Sequence, residues 1–335
     1  MSESIYYDFG AVLSRNGVFN FILGGRGIGK TYGAKKLVIK KAIEKGHQFI
    51  YLRRYKEELA VAANTLFADI SKEFPGVEFR KHGNEAQYTL DIGATKERRW
   101  KTIGYFIALS TAQTYKSVAY PNVKTIVYDE VVAEKGRRYL SDEYNIFVNF
   151  YNTVDRYRDE VRVLFLANSV SIMNPYFLAL DIEVDGREFA SYADGFVVCH
   201  FPDLDDFNNM AKSTRYGRFI SGTDYEKYAI DNQFSDNHNS LIAKKGGRAR
   251  YAYTLHTLKG TFSVWYDTIT GEYYAQEKRP KDEKRYTNNV ALVDENVTLL
   301  VKSDKKLEYP RTAFRNGRML FDSPTTRNIF LELFK

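Results

Sequence analysis

The stretch FILGGRGIGKTYGAKK, residues 21–36, sets Gly24, Gly29, Lys30 and Thr31 at the spacing G-x-x-x-x-G-K-[ST]. VFNFIL (18–23), a short β-rich run, precedes the glycines, and residues 28–45 alternate apolar and basic side chains at helical spacing. Strand, loop and helix therefore follow in the order that a phosphate-binding loop requires. In such a loop glycines let successive backbone N–H groups face an anion at the N-terminus of the next helix. Gly24, Gly25, Arg26, Gly27, Ile28, Gly29, Lys30 and Thr31 are thus the expected nucleotide-binding segment. Lys30 would reach the β- and γ-phosphates of ATP, and the Thr31 hydroxyl would bind Mg²⁺. The plain alternative is a glycine-rich turn without a ligand, and the complete pattern in this context speaks against it.

Outward from that unit, HQFIYLRR (47–54) reads as a second strand and KEELAVAANTLFADISKEF (56–74) as an amphipathic helix stopped by Pro75-Gly76. EFRKHG and QYTLDIG, within the hydrophilic stretch 77–101, suggest a small β-ribbon. YFIALS (105–110), TIVYDEVV (125–132) and VRVLFLANS (161–169) are continuous apolar runs of strand length, as expected for strands covered by helices on both faces. The economical fold is α/β: a parallel sheet with crossover helices over 1–180. Residues 181–240, rich in Asp, Asn and Gly, read as a linker or lid subdomain. Residues 241–335 read as a separate domain, because ARYAYTLHTLKGTFSVWYDTITGEYYAQEK has three period-2 runs broken at Lys259-Gly260 and Thr270-Gly271, the pattern of an antiparallel meander.

Three further features carry chemistry. Asp129 and Glu130 end the apolar run TIVYDE, where one carboxylate can hold Mg²⁺ and the next can orient and deprotonate an attacking water. A D-E pair is also common at turns, and it gains meaning only beside the glycine loop. Asn168, ending VLFLAN, is placed to touch the γ-phosphate or the water, or else to cap a turn. Arg156 and Arg158 in TVDRYRDEVR, and Arg53, Arg54 and Lys56 in YLRRYK, are cations of the kind that stabilise transition-state charge, against the default of ordinary surface pairing.

Composition narrows the class. Of the net charge of +7, residues 236–335 hold 18 Lys+Arg against 12 Asp+Glu, or +6, while the remaining 31 and 30 leave the first 235 residues at +1. A basic, tyrosine-rich end attracts a phosphate backbone, although a solvated basic surface would look the same. The single Cys199 excludes a disulfide framework and any multi-cysteine zinc site, and the five histidines have no ligand spacing. No apolar run approaches a membrane span, and MSESIYYDFG lacks the layout of a signal peptide, so a cytoplasmic protein without a membrane partner is expected.

GGRGIGKT with its lysine-rich helix, QFIYLRRYKEEL, the AYPNVKTIVYDE block, RYRDEVR, LANSVSIMNPYF, and the late TRYGRFISGT and DNQF together resemble the DNA-encapsidation ATPase of small tailed phages, over nearly the whole chain. That resemblance implies a large-terminase-like motor of the additional-strand, catalytic-glutamate P-loop class. It implies a homo-oligomeric ring, a pentamer, docked on the portal or connector of an empty procapsid in the host cytoplasm and absent from the mature virion. Its cargo is double-stranded DNA, and some members use a packaging RNA. By position Lys30 and Thr31 match the P-loop, Asp129 and Glu130 the Walker B pair, Arg156 the residue acting in trans, and Lys56 a second interface cation.

The same resemblance implies an RNase H-like last domain. Two-metal cleavage needs several convergent carboxylates, one normally in the first strand, and RYAYTLHTL has none, while Asp267 and Glu272 read as isolated turn acids. A vestigial nuclease reused for binding is expected. QTYKSVAYPN (113–122), polar, basic and aromatic, is the candidate DNA-gripping loop. Alternatives are a DNA helicase or conjugative pump with the same core, a nucleic-acid-binding protein that uses ATP only as a switch, and a small-molecule kinase, which rarely carries an added basic β-domain.

Overall fold

The computed structural model describes residues 7–93, 98–133, 137–168, 174–183, 187–202, 205–223 and 241–334. They fall into two compact units, Met1–Tyr176 with Gly186–Gln233, and Phe177–Asp185 with Phe234–Lys335.

The first unit is built on one nine-stranded sheet of order β3-β4-β5-β2-β6-β7-β1-β9-β8. Its strands are β1 (Phe19–Leu23), β2 (Gln48–Arg53), β3 (Glu78–His82), β4 (Glu85–Thr89), β5 (Lys101–Ala108), β6 (Val123–Asp129), β7 (Arg162–Ala167), β8 (Phe189–Tyr192) and β9 (Val197–His200). The central six, from β5 to β9, run parallel. FNFIL in β1 is buried at every position, which is why the apolar runs are continuous rather than alternating.

Helix α1 is Phe9–Leu13 and α2 is Lys30–Lys45. Ala34, Val38 and Ala42, one turn apart, give α2 the apolar stripe that it buries against the sheet. Gly46, at φ 70°, ends it: its N–H donates to the Ala42 carbonyl and the His47 N–H to Lys41, and this left-handed cap is cheap only for glycine. Helix α3 (Lys56–Thr65) is shorter than the expected 56–74, because after Thr65 the Ala68 N–H bonds three residues back and the chain tightens into turns that bring both Leu66 and Ile70 into the core. Helix α4 (Glu143–Asp155) crosses from the C-terminal edge of β6 back to the start of β7, and α5 (Pro175–Leu180) follows.

The ribbon read from EFRKHG and QYTLDIG exists as β3 and β4, but it joins β5 and widens the main sheet. The division at 180 needs a larger correction. Residues 187–202, set apart by the sequence reading as linker, return to the first unit: β9 pairs in parallel with β1 and β8 closes that edge. FASY and VVCH are four residues each, too short to show a period among acidic and glycine residues. Helices α6 (Asp205–Ser213) and α7 (Arg215–Phe219) follow in the same unit. Residues 224–240, including DNQF, lie outside the described residues.

The second unit holds a six-stranded sheet of order β14-β13-β10-β11-β12-β15. The expected meander is β10 (Arg250–Thr257), β11 (Gly260–Asp267) and β12 (Glu272–Gln276), paired antiparallel. β13 (Arg285–Thr287) pairs in parallel with β10, and β14 (Val297–Leu299) with β13, so the first five strands have the order and sense of an RNase H-like sheet. β15 (Met319–Phe321) adds a strand beside β12, and α8 (Lys305–Arg315) and α9 (Pro324–Leu331) cover one face. Phe262, Phe314, Phe321 and Phe330 form the aromatic centre of this core.

Candidate active site

The strand that separates β1 from β6 in space is β7, which follows both in the chain, and not YFIALS, which separates them in sequence. Hence the tips of β1, β7 and β6 carry the glycine loop, Asn168 and the Asp129–Glu130 pair side by side. The Gly24 N–H donates to the Ala167 carbonyl at 3.2 Å, which ties the loop to the residue before Asn168.

Gly27 and Gly29 hold φ values of 86° and 83°, a region open to glycine and costly to other residues. A Cβ at Gly27 would come within 3.0 Å of the Phe207 Cζ, so α6 of the expected lid segment reaches the crest of the loop. The Ile28 carbonyl accepts the Tyr7 N–H at 2.8 Å, and Arg26 stands exposed. Lys30 is buried, and its ammonium donates to the Gly24 and Gly25 carbonyls at 2.7 and 2.6 Å. Burial pulls its pKa down to about 7, with the Asp129 carboxylate acting in the opposite sense. An amine in this position closes the loop over itself, and a phosphate is the partner that would restore its full charge.

The Thr31 hydroxyl lies 3.1 and 3.2 Å from the two oxygens of Asp129. Asp129 also accepts from the Tyr51 hydroxyl at 2.6 Å, the Arg53 Nη2 at 2.9 Å and the Glu130 N–H at 3.1 Å. The Arg53 Nη1 meets the Glu130 carboxylate at 2.6 Å. One guanidinium therefore bridges both acids. Burial alone would lower its pKa, but the Asp129 carboxylate foremost, then Tyr51 and Glu130, raise it, so it is a fixed cation. Glu130 has the more open side chain, 44 % exposed against 4 % for Asp129. Its backbone is left-handed at φ 59°, which turns it out of the strand line toward solvent.

Arg54 does not face outward: its side chain is 3 % exposed and forms a bidentate pair with Glu143 at 2.7 and 3.0 Å. It is thus withdrawn from the set of cations that could cross to another chain. Lys56, exposed at the start of α3, lines a cleft with Lys81, Asn84 and Tyr115.

Arg156 caps the far end of α4, exposed and left-handed at φ 49°. It donates to the Thr153 carbonyl at 3.3 Å and the Val118 carbonyl at 3.2 Å. Thirteen residues of helix, about 20 Å at the usual rise, separate it from the Glu143 end that abuts the site. It belongs to the opposite edge of the sheet from its own Asp129 and Glu130. Arg158 is likewise tied to the Tyr120 and Pro121 carbonyls, so both arginines hold the end of the 113–122 segment, of which Lys116 to Ala119 are exposed.

In the second unit Asp267 and Glu272 are register partners rather than isolated acids. Asp267 caps its own turn through the Ile269 and Thr270 N–H groups, and Glu272 accepts the Tyr274 hydroxyl at 2.6 Å. Among the described residues, no group of three or more His, Cys, Asp or Glu could hold a metal ion.

Sequence reasoning missed Tyr51, Glu143 and Phe207. Tyr51 and Arg53 alternate on one face of β2, which points both at Asp129 once β2 is known to lie beside β6, a neighbourhood invisible in the chain order.

Fold and site define a P-loop ATPase of the additional-strand, catalytic-glutamate class, with Asp129 and Glu130 beside the glycine loop, and a second unit with an RNase H-like sheet. Along residues 1–335 the chain matches the family described as Podovirus DNA encapsidation protein (Gp16), and it belongs to that family. It is 36 % identical over 340 residues to the DNA packaging proteins of Bacillus phage PZA and Bacillus phage phi29, covering 100 % of this chain and 98 % of each relative. Among solved structures it resembles a chain of the bacteriophage Phi-29 viral genome packaging motor assembly, with TM-score 0.66, 36 % identity and 99 % of each chain covered. The N-terminal domain of the DNA packaging ATPase from bacteriophage phi29 aligns with TM-score 0.54 and 39 % identity, over 61 % of this chain and 100 % of that one.

Proposed function

We propose that the chain is the ATP-driven motor that moves double-stranded viral DNA into a preformed procapsid. The observation that carries this reading is the convergence of the glycine loop, Asp129 and Glu130 on one sheet edge, in a chain that belongs to a DNA encapsidation family along its whole length. The N–H groups of residues 25–31 would receive the phosphates of ATP, and Lys30 would leave the Gly24 and Gly25 carbonyls for them. Thr31 and Asp129 would hold Mg²⁺, since a hydroxyl and a carboxylate already converge there and both are the hard oxygen donors this ion takes. When bound, the ion neutralises charge that builds on the phosphate oxygens. Glu130, once Arg53 releases it, takes the proton of the attacking water, and Asn168, at the tip of the intervening strand, hydrogen-bonds the water or the γ-phosphate.

Arg156 would complete a neighbour's site, because the length of α4 keeps it from its own. Sites that borrow a cation from the next subunit work as a ring, and a pentamer on the portal follows the resemblance, as does a packaging RNA. The protein would act in the host cytoplasm, on the procapsid, and leave before the virion matures. The second unit would bind rather than cut: its excess of basic residues and the commitment of Asp267 and Glu272 to local hydrogen bonds support that role.

Steady-state ATP hydrolysis by wild type and Glu130→Gln, with and without double-stranded DNA and empty procapsids, tests the reading. Wild-type turnover should rise with DNA or procapsid, and the variant should lose about 10²–10⁴-fold, the usual contribution of a positioned general base. Equal turnover in the two proteins removes Glu130 from the chemistry. No turnover in either, under any of these conditions, leaves ATP as a switch only.

A further inference from the structure

Arg53 ends β2 and Arg54 follows it, and only Arg53 touches a carboxylate of the Walker B pair. Arg54, its neighbour, reaches the backbone instead: Nη2 donates to the Val131 carbonyl at 2.5 Å and Nη1 to the Glu130 carbonyl at 3.4 Å. These are the carbonyls of the residue held at φ 59° and of the residue after it. A non-glycine residue keeps such a conformation only where its surroundings over-determine it. The Val131 N–H, bonded to the Leu166 carbonyl at 3.0 Å, fixes the turn to β7 on the other side.

Arg54 is in turn immobilised. Glu143 grips it with both oxygens, and the same carboxylate collects the Tyr128 hydroxyl at 2.9 Å, the Tyr176 hydroxyl at 3.1 Å and the Leu140 N–H at 2.9 Å. The Tyr139 ring lies 4.8 Å from the guanidinium, and its hydroxyl accepts the Ala133 N–H at 2.9 Å. Glu130, Val131, Ala133, Tyr139 and Leu140 lie between β6 and α4, Glu143 opens α4, Tyr128 is the residue before Asp129 in β6, and Tyr176 comes from α5. A buried ion pair is a poor way to gain stability, since apolar residues of similar volume usually serve as well. What apolar residues cannot supply is a pair of donors aimed at two consecutive carbonyls.

We propose that the buried Arg54–Glu143 pair is a positioning device for hydrolysis, which holds the left-handed turn at Glu130 so that its carboxylate faces the nucleotide side of the sheet. The inference rests on Glu130 as the base, and it adds a role that neither arginine alone nor the Walker B pair reveals. Arg54 does not touch substrate: it acts through the backbone of the residue that does.

The test uses the full-length protein and two variants. Arg54→Lys keeps the charge opposite Glu143 but loses the fork that spans the two carbonyls. Arg54→Met with Glu143→Gln removes both charges together and keeps a side-chain oxygen for the Tyr128 and Tyr176 hydroxyls, which share one oxygen of Glu143, where Arg54→Met alone would strand a buried carboxylate. The measurements are thermal unfolding, affinity for a fluorescent non-hydrolysable ATP analogue, and single-turnover hydrolysis, each with Glu130 intact and with Glu130→Gln. We expect unfolded-state populations and nucleotide affinity within about twofold of wild type, a loss of about 10- to 100-fold in the hydrolysis rate, and no further loss when either change is added to Glu130→Gln. A folded, nucleotide-binding variant that hydrolyses at the wild-type rate overturns the proposal, and so does a loss that adds to that of Glu130→Gln, because the pair would then act elsewhere. Loss of folding in both variants overturns it as well, since the pair would then be structural. If Glu130→Gln itself keeps turnover, the assignment of the base falls rather than the pair's hold on the turn.

Discussion

Arg53 and Arg54 are adjacent in the chain and do opposite things. Arg53 bridges Asp129 and Glu130 by their carboxylates, whereas Arg54 is buried against Glu143 and the backbone behind them. Arg53 occupies the Glu130 carboxylate that an attacking water would need if Glu130 is the base, and its hold is strong because the pair is half shielded and charge-assisted. Arg53→Gln should therefore raise basal ATP turnover several-fold and bring the ratio of DNA-stimulated to basal turnover toward one, measured with the same DNA and nucleotide as wild type. A ratio that stays at the wild-type value would show that Arg53 is not what restrains Glu130. The left-handed backbone at Glu130 costs about 1–2 kcal/mol, which its fixed neighbours offset. The identities Lys30, Thr31, Asp129 and Glu130 were legible because their spacing and their place at strand ends are local facts. The division of labour between Arg53 and Arg54 was not, because it depends on which strand lies beside β2 and on which face each side chain takes.

At the scale of elements, α4 is the strut that joins one site's interior to the cation offered outward. Its first residue, Glu143, is locked to Arg54, and its cap, Arg156, sits a helix length away beside Val118. If Arg156 serves a neighbour, doping wild-type protein with Arg156→Ala subunits should lower DNA-stimulated turnover more steeply than the fraction of wild type, while the variant alone retains nucleotide binding. A strictly proportional fall would place the effect of Arg156 within its own subunit. Continuous apolar runs gave away the parallel strands, since both faces of each are covered. β8 and β9 escaped notice because four-residue strands at a sheet edge carry no measurable period, and α3 was overlong because the amphipathic pattern continues through turns that bury the same face.

On the scale of the molecule, the positive charge is unevenly placed along the chain. Residues 1–235 carry a net +1, and residues 236–335, which make up most of the second unit, carry +6. Aromatic rings with stacked cations, such as Lys245 on Trp265 and Lys306 on Tyr286, occur in the second unit. Stimulation of ATP turnover by DNA should accordingly fall steeply between about 50 and 200 mM salt, as it does wherever lysines and arginines neutralise phosphates, while basal turnover changes little. Net charge and the meander were visible in the sequence, whereas the parallel strands β13, β14 and β15, three residues each, were not.

If hydrolysis at Glu130 drives double-stranded DNA into a container, the ATP consumed and the duplex enclosed must rise together. The most direct test incubates wild type or Glu130→Gln with ATP, double-stranded DNA and empty procapsids, and then measures the DNA that survives added nuclease. Wild type should protect long duplex DNA in step with ATP consumed, and Glu130→Gln, binding ATP but not turning it over, should protect none. Wild-type protein that hydrolyses ATP on DNA yet protects nothing, or that separates the strands instead, would contradict the account and leave a helicase in place of a packaging motor.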